Sequence, residues 1–259
     1  MTLKKNNTGR KAPGRIATLL HKDLVVWIDE STTQHVRPAG PALLHEPIQA
    51  AKRIRVGHQY KAQRNFHGLY WFAQTGQHVW YESLFEMTAL MSLDFFHDIR
   101  SISSQPMMMQ FAGGKVHFPD LFATHADGHQ VVYDVRPERL IDPDAAEQFA
   151  ETKRICGLVG WEYQLFTSID PIAKNNLEWL SGYRHPRHVP RPHIRERVLV
   201  AAEHARPFTD LVNVVDPHHP ALGAMALYNM LWNRSLTFDM TFPLNTFTLI
   251  SKDNSHDHN

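Results

Sequence analysis

Cysteine is nearly missing from this chain: its 259 residues include one, Cys156. A single thiol excludes an internal disulfide and any zinc site built on cysteines. Its place inside a helical pattern marks it as a small buried side chain rather than a nucleophile. Long apolar runs are missing as well. No stretch is long enough to span a bilayer, and the polar, lysine-rich start lacks the apolar core of a signal peptide. The expectation is a cytoplasmic protein with no membrane partner. Acids are scarce at the beginning: residues 1–70 hold 12 Lys/Arg against 4 Asp/Glu. Residues 71–180 invert the balance, with 7 against 15, and residues 181–259 return to 8 against 7, with six arginines between Arg184 and Arg206. The net charge of +1 therefore hides an acidic middle between basic flanks. Such a distribution suits a protein that grips a polyanion at its ends and gathers cations at its centre, or a merely solvated surface.

The length allows a sizeable core, one main domain plus one or two smaller ones. The eighteen histidines are scattered, and His256 and His258 lie in a polar tail. Met1 to Arg15 reads as a basic arm, Leu24 to Ile28 as a strand, and the proline-rich His35 to Glu46 as a connection. Lys52-Arg53-Ile54-Arg55 opens a basic stretch running to Arg64, interleaved with and followed by Tyr60, Phe66, Tyr70, Trp71 and Phe72. Cations beside stacking rings are one way to hold DNA; a hairpin packing its rings inward is the other reading. Tyr81 to Phe96 has a helical apolar face of Leu84, Met87, Leu90 and Met91, with Glu86 at its margin. Gln105 to Phe111 reads as a strand turned by Gly113-Gly114. Asp142-Pro143 and Asp170-Pro171 start helices, the first ending near Gly160, with a strand from Trp161 to Thr167 between them. Helix, three strands, helix, strand, helix predicts an α/β domain whose mixed sheet is covered by helices. Helical patterns at 193–205 and 219–233, then two short apolar runs, fit a winged helix or a helical extension packed on the main domain.

The chemistry concentrates in His117–Pro137, HFPDLFATHADGHQVVYDVRP. Val116 to Thr124 is β-prone, Asp127-Gly128 is a turn signal, and Gln130 to Arg136 resumes as a strand. Alternation puts Val132, Asp134 and Arg136 on one face and Val131, Tyr133 and Val135 on the other. An acid and a cation two residues apart on an apolar strand are costly to bury unless they pair or bind something. Asp120, after Pro119, is placed to converge on them. Pro-Asp, a spacer, then Asp-Val-Arg has the shape of a PD-(D/E)-x-K nuclease motif with arginine at the lysine position. Taken alone, the same residues favour the plainer reading, a turn at Asp120 and a solvated Asp134–Arg136 pair on an edge strand.

The ordered set YESLFEMTALMSLDF, IRSISSQPMMM, HFPDLF, VVYDVRP, DAAEQFAETKRICGLVGWEYQLFT and DPIAKNNLEWL resembles the TnsA-like endonuclease subunits of heteromeric transposases, over residues 64–182. The resemblance implies a restriction-endonuclease-like fold that hydrolyses DNA at the 5′ ends of a transposon. A partner transposase of integrase (DDE) type would cut and join the 3′ ends, and an ATPase regulator joins such complexes. It implies a basic region over 1–63, a nuclease domain over 64–182, a linker over 183–192, a winged-helix-like domain over 193–250 and a tail over 251–259. By motif position, Glu86, Asp120 and Asp134 are the catalytic acids holding Mg²⁺ or Mn²⁺ with the Val135 carbonyl, and Arg136 stands for the lysine. The expected DNA contacts are Lys52, Arg53, Arg55, Lys61, Arg64, Arg191 and Arg195. Arginine stays protonated, so Arg136 is expected to stabilise phosphate charge rather than act as a base, with Lys153 as the rival cation. Two other classes remain: a non-catalytic DNA-binding subunit that keeps the fold, and a free-standing restriction or repair nuclease.

Overall fold

The computed structural model describes residues 22–54 and 66–254. The N-terminal arm, the expected DNA contacts Arg55, Lys61 and Arg64, and the tail histidines lie outside the described residues. The centre is a mixed four-stranded sheet of β5 (Ile99–Ser104), β8 (Leu121–His125), β9 (Gln130–Val135) and β10 (Glu162–Phe166), in the order β10-β9-β8-β5. β8 runs antiparallel to both β5 and β9, and β10 is parallel to β9. Parallel pairing needs a crossover, which α2 (Pro143–Val159) supplies. Asp142 caps that helix through its bond from Ala145 N, and Gly160 closes it in the left-handed region, as the sequence predicts.

One face of this sheet carries Leu121, Ala123, Val131 and Tyr133. Against it pack Leu90, Met91 and Leu93 of α1 (Leu84–Phe96), and Tyr70, Phe72 and Val79 of a hairpin formed by β3 (Gly68–Phe72) and β4 (Gln77–Tyr81). The other face presents Phe122 and Val132 to Ile155, Cys156 and Val159 of α2. A second sheet, in the order β2 (Gln34–Pro38), β1 (Leu24–Ile28), β6 (Met107–Gln110) and β7 (Val116–His117), closes over that side with Val25 and Trp27 of β1 and Met107 and Met109 of β6. The methionines are core, as their composition implied.

Two elements differ from the sequence expectation, each for a physical reason. Val116 to Thr124 is not one strand: β7 (Val116–His117) pairs with β6, and β8 joins the central sheet. Pro119 has no N–H to continue a ladder, so the chain changes sheets there. The proline-rich connection contains β2 (Gln34–Pro38), an exposed edge strand with no inward alternation to read. A further helix, α5 (Phe208–Val215), forms despite its valines because Phe208, Leu211 and Val212 share a core stripe; packing overrides propensity.

The chain continues through α3 (Pro171–Ser181), α4 (Pro192–Ala201), β11 (Arg206–Pro207), α5, α6 (Pro220–Trp232), β12 (Leu236–Thr237) and β13 (Leu249–Lys252). The last three strands make a small sheet in the order β11-β13-β12. Val198, Leu211, Leu227, Trp232 and Ile250 form one core with Phe95 of α1 and Leu177 and Leu180 of α3. The expected linker is anchored within this packing. Arg184 donates to the carbonyls of Trp71 and Ser181, and Asn229 donates to the Tyr183 carbonyl. Among the described residues, no helix is long and apolar enough to cross a membrane.

Candidate active site

The turn before β8 and the end of β9 bring the two halves of the motif together. Asp120, half-buried, accepts a hydrogen bond at Oδ2 from Val135 N at 2.8 Å, fifteen residues away in sequence. Its own carbonyl accepts from Gln105 N at 2.9 Å. Leu121 faces Tyr133 in the ladder, so Asp120 and Asp134 occupy neighbouring positions at one sheet end, on the side of Phe122 and Val132.

Asp134 is 1% exposed and lies on an interior strand, not an edge. Its charge is met by donors rather than by Arg136. His117 Nε2 bridges both carboxylate oxygens at 2.8 and 2.9 Å, and the Tyr163 hydroxyl donates to Oδ2 at 2.8 Å. Gln148 of α2 meets the other ring nitrogen of His117, Nδ1, and so helps fix the orientation of the ring against Asp134. A buried carboxylate is tolerable because its lone pairs are used in this way. Burial, then the charge of Asp134, pushes the Tyr163 hydroxyl far above its usual range, with a smaller push from Asp120. Tyr163 is thus a permanent donor.

The first turn of α1, which carries Glu86, packs near the same sheet end on the opposite face, but its Glu86 carboxylate is not brought into one cluster with Asp120 and Asp134. Phe85 touches Phe166 at the end of β10, with ring centroids 5.3 Å apart, and Met87 packs in the cluster that includes Val135. The Glu86 carboxylate accepts from Glu82 N at 2.7 Å and from the Ser83 hydroxyl at 3.1 Å, and Ser83 Oγ accepts from Glu86 N. This is a capping-box arrangement on the first turn of α1. Arg136 is exposed and donates from Nε to the Leu140 carbonyl at 2.9 Å. Lys153 is exposed, next to the inward Thr152, so the structure offers no support for it as a displaced site lysine.

The donor set suits a hard cation. Two neighbouring carboxylates and a backbone carbonyl match Mg²⁺, which keeps waters and takes few protein ligands. Among the described residues, no three His, Cys, Asp or Glu side chains stand close enough to hold an ion. Asp134 Oδ1 retains acceptor capacity beyond His117, and Asp120 is the more open of the two acids.

Of the remaining expected DNA contacts, Lys52, Arg53, Arg191 and Arg195 are exposed. Arg191 and Arg195 stand at the start of α4, and Arg195 donates to Ser235 Oγ at 3.2 Å. Sequence reasoning missed His117, Gln148 and Tyr163. Their only signal is a polar side chain at an inward position, visible once the register of β9 and β10 is known. No protein-family model matches the chain, and a search of curated proteins finds no match.

Proposed function

We propose that this chain is the DNA endonuclease subunit of a heteromeric transposase, hydrolysing phosphodiesters at the 5′ ends of a transposon. The observation that carries this is the bond from Val135 N to the Asp120 carboxylate, which joins Pro119-Asp120 to Asp134-Val135-Arg136 at one end of a mixed sheet. The order of α1, β5, β8, β9, α2 and β10, with helices on both faces, supports a restriction-endonuclease-like fold. Asp120, Asp134 and the Val135 carbonyl would hold a Mg²⁺ or Mn²⁺ ion, and Glu86 would have to leave its cap contacts with Glu82 N and Ser83 Oγ to join them. Such an ion, when bound, acidifies water and neutralises phosphate charge. Arg136, two residues after Asp134, keeps its proton on an exposed guanidinium that would stabilise charge on the phosphate and would not act as a base. His117 and Tyr163 fix the plane of Asp134. Small-sheet packing after α6 supports a winged-helix arrangement, but α6 carries no lysine or arginine and buries most of its surface. Duplex contacts from this part therefore fall to the start of α4.

The test is cleavage of transposon-end DNA in Mg²⁺ or Mn²⁺, with the DDE transposase present. Asp120→Asn and Asp134→Asn should each lower the rate by more than the roughly 100-fold typical of losing an outer-shell partner. Activity within a few-fold of wild type in either variant removes the acids from the mechanism. The 1% exposure of Asp134 favours a second reading, a DNA-binding subunit that keeps the fold without cutting. Wild-type protein that neither binds Mn²⁺ nor cuts in the complex would establish that alternative.

A further inference from the structure

Gln105 combines two costs beside the candidate site. It is fully buried, yet neither its Oε1 nor its Nε2 has a hydrogen-bond partner among the described residues. A buried amide left unpaired loses the hydration of its donor and its acceptor. Its backbone adds strain, with a φ of 47° in the left-handed region that glycine occupies freely. That conformation has a structural use, because Gln105 and Pro106 are the whole link between β5 in the central sheet and β6 in the second. The side chain serves neither the turn nor the core: glycine would turn the chain at less cost, and an apolar residue would fill the space at less cost. The backbone is pinned on both sides, Gln105 O accepting from Ile54 N at 3.0 Å and Gln105 N donating to Asp120 O at 2.9 Å. Ser104 faces Leu121 in the β5–β8 register, so Gln105 and Asp120 are the next pair along. A fixed backbone thus holds an uncommitted amide next to the acid of the Pro119-Asp120 motif. The adjoining Ser104 Oγ is likewise buried without a partner among the described residues.

We propose that Gln105 is a further catalytic residue of the candidate site, whose amide holds the attacking water against the scissile phosphate. The inference rests on the endonuclease reading and deepens it. One amide carries an acceptor and N–H donors in a single plane. Its Oε1 accepts from the water while Nε2 donates to a non-bridging phosphate oxygen, which aligns the water for in-line attack. In the step itself the water oxygen bonds to phosphorus and a bridging ester oxygen leaves. The proton released by the water ends on that leaving oxygen. The amide is too weak a base to carry it, so the share of Gln105 is orientation and charge stabilisation. Rotation about the side-chain torsions delivers the amide without moving the strand. No hydrogen bond has to break first, which is what an unpaired donor and acceptor supply.

Gln105→Met keeps the side-chain length and removes the amide. The free full-length protein should melt about 2–4 °C higher, the equivalent of one orphaned polar group removed. With the DDE transposase present, cleavage of transposon-end DNA in Mg²⁺ should fall by about 100- to 1000-fold, the loss typical of one preorganised donor. Affinity for the same DNA in EDTA should be unchanged. A lower melting temperature, or a variant that does not fold, would show the amide to be a structural group and overturns the proposal. Cleavage within a few-fold of the native rate overturns it as well, and so does a loss of DNA affinity large enough to account for the lost cleavage. Native protein that does not cut in the complex sinks the endonuclease reading and this inference with it; a native protein and a Gln105→Met variant that both cut sink this inference alone.

Discussion

Asp94 shows what a buried charge costs in this molecule. It is 3% exposed and accepts from the Tyr70 hydroxyl at 3.0 Å and from the amides of Ala73 and Gln74 at 2.8 and 3.2 Å. Burial raises its carboxyl above the ordinary range, against the opposing pull of those donors. The folded state therefore holds that proton more tightly than the unfolded chain. Asp94's contribution to stability is largest with the proton on, below the ordinary value of 3.8, and declines as pH rises through the raised value. Asp94→Ala orphans three donors and should cost about 3 kcal/mol, lowering the melting temperature by roughly 6–12 °C in a scan. An unchanged melt would mean that Tyr70 and the Ala73–Gln74 turn find water instead. Cys156 makes the complementary case. Burial, then the charge of Asp134, pushes its thiol up to about 12. It should resist a disulfide reagent at pH 8 in the folded protein and react once denatured; rapid labelling of native protein would contradict its burial. Its inert, buried character was legible from one helical repeat. The partners of Asp134, His117 and Tyr163, were not, because they come from two segments distant in sequence.

Among the elements, α1 has a double duty. Ser83 and Glu86 cap its first turn, while the same turn stands at the sheet end where Asp120 and Val135 meet. Glutamine serves a capping box as well as glutamate but carries no charge. Glu86→Gln should therefore leave thermal stability within about 0.5 kcal/mol of wild type while lowering cleavage in the transposase complex by about 100-fold. If cleavage survives in Glu86→Gln, the residue is a cap and nothing more. Ser83→Ala supplies the control, costing about 1 kcal/mol of stability through the lost cap. Helix starts at Asp142 and Asp170 were readable because cap and proline chemistry is local. The split of β7 from β8 and the edge strand β2 were hidden, since sheet membership depends on partners elsewhere in the chain.

At the scale of the whole molecule, the C-terminal helices share a core with the central domain. Phe95, Leu177 and Leu180 are buried against Val198, Leu227 and Trp232. A chain ending at Gly182 would expose the first three. At about 1.5–3 kcal/mol each, their loss is comparable to the entire stability of a typical domain. Such a fragment should show no cooperative melt, whereas a sharp transition near the full-length temperature would show that residues 22–182 fold alone. The sequence by itself determined the alternation of β9, the helix starts, the turn at Asp127-Gly128 and the charge asymmetry, because these arise from bonding and periodicity within a few residues. Only the tertiary structure decided that Asp120 would lie on Val135, that His117 and Tyr163 would hold Asp134, and that Arg53 and His67 would pack on Trp80. Those outcomes depend on strand register and on which surfaces are covered, and no local run of residues encodes either.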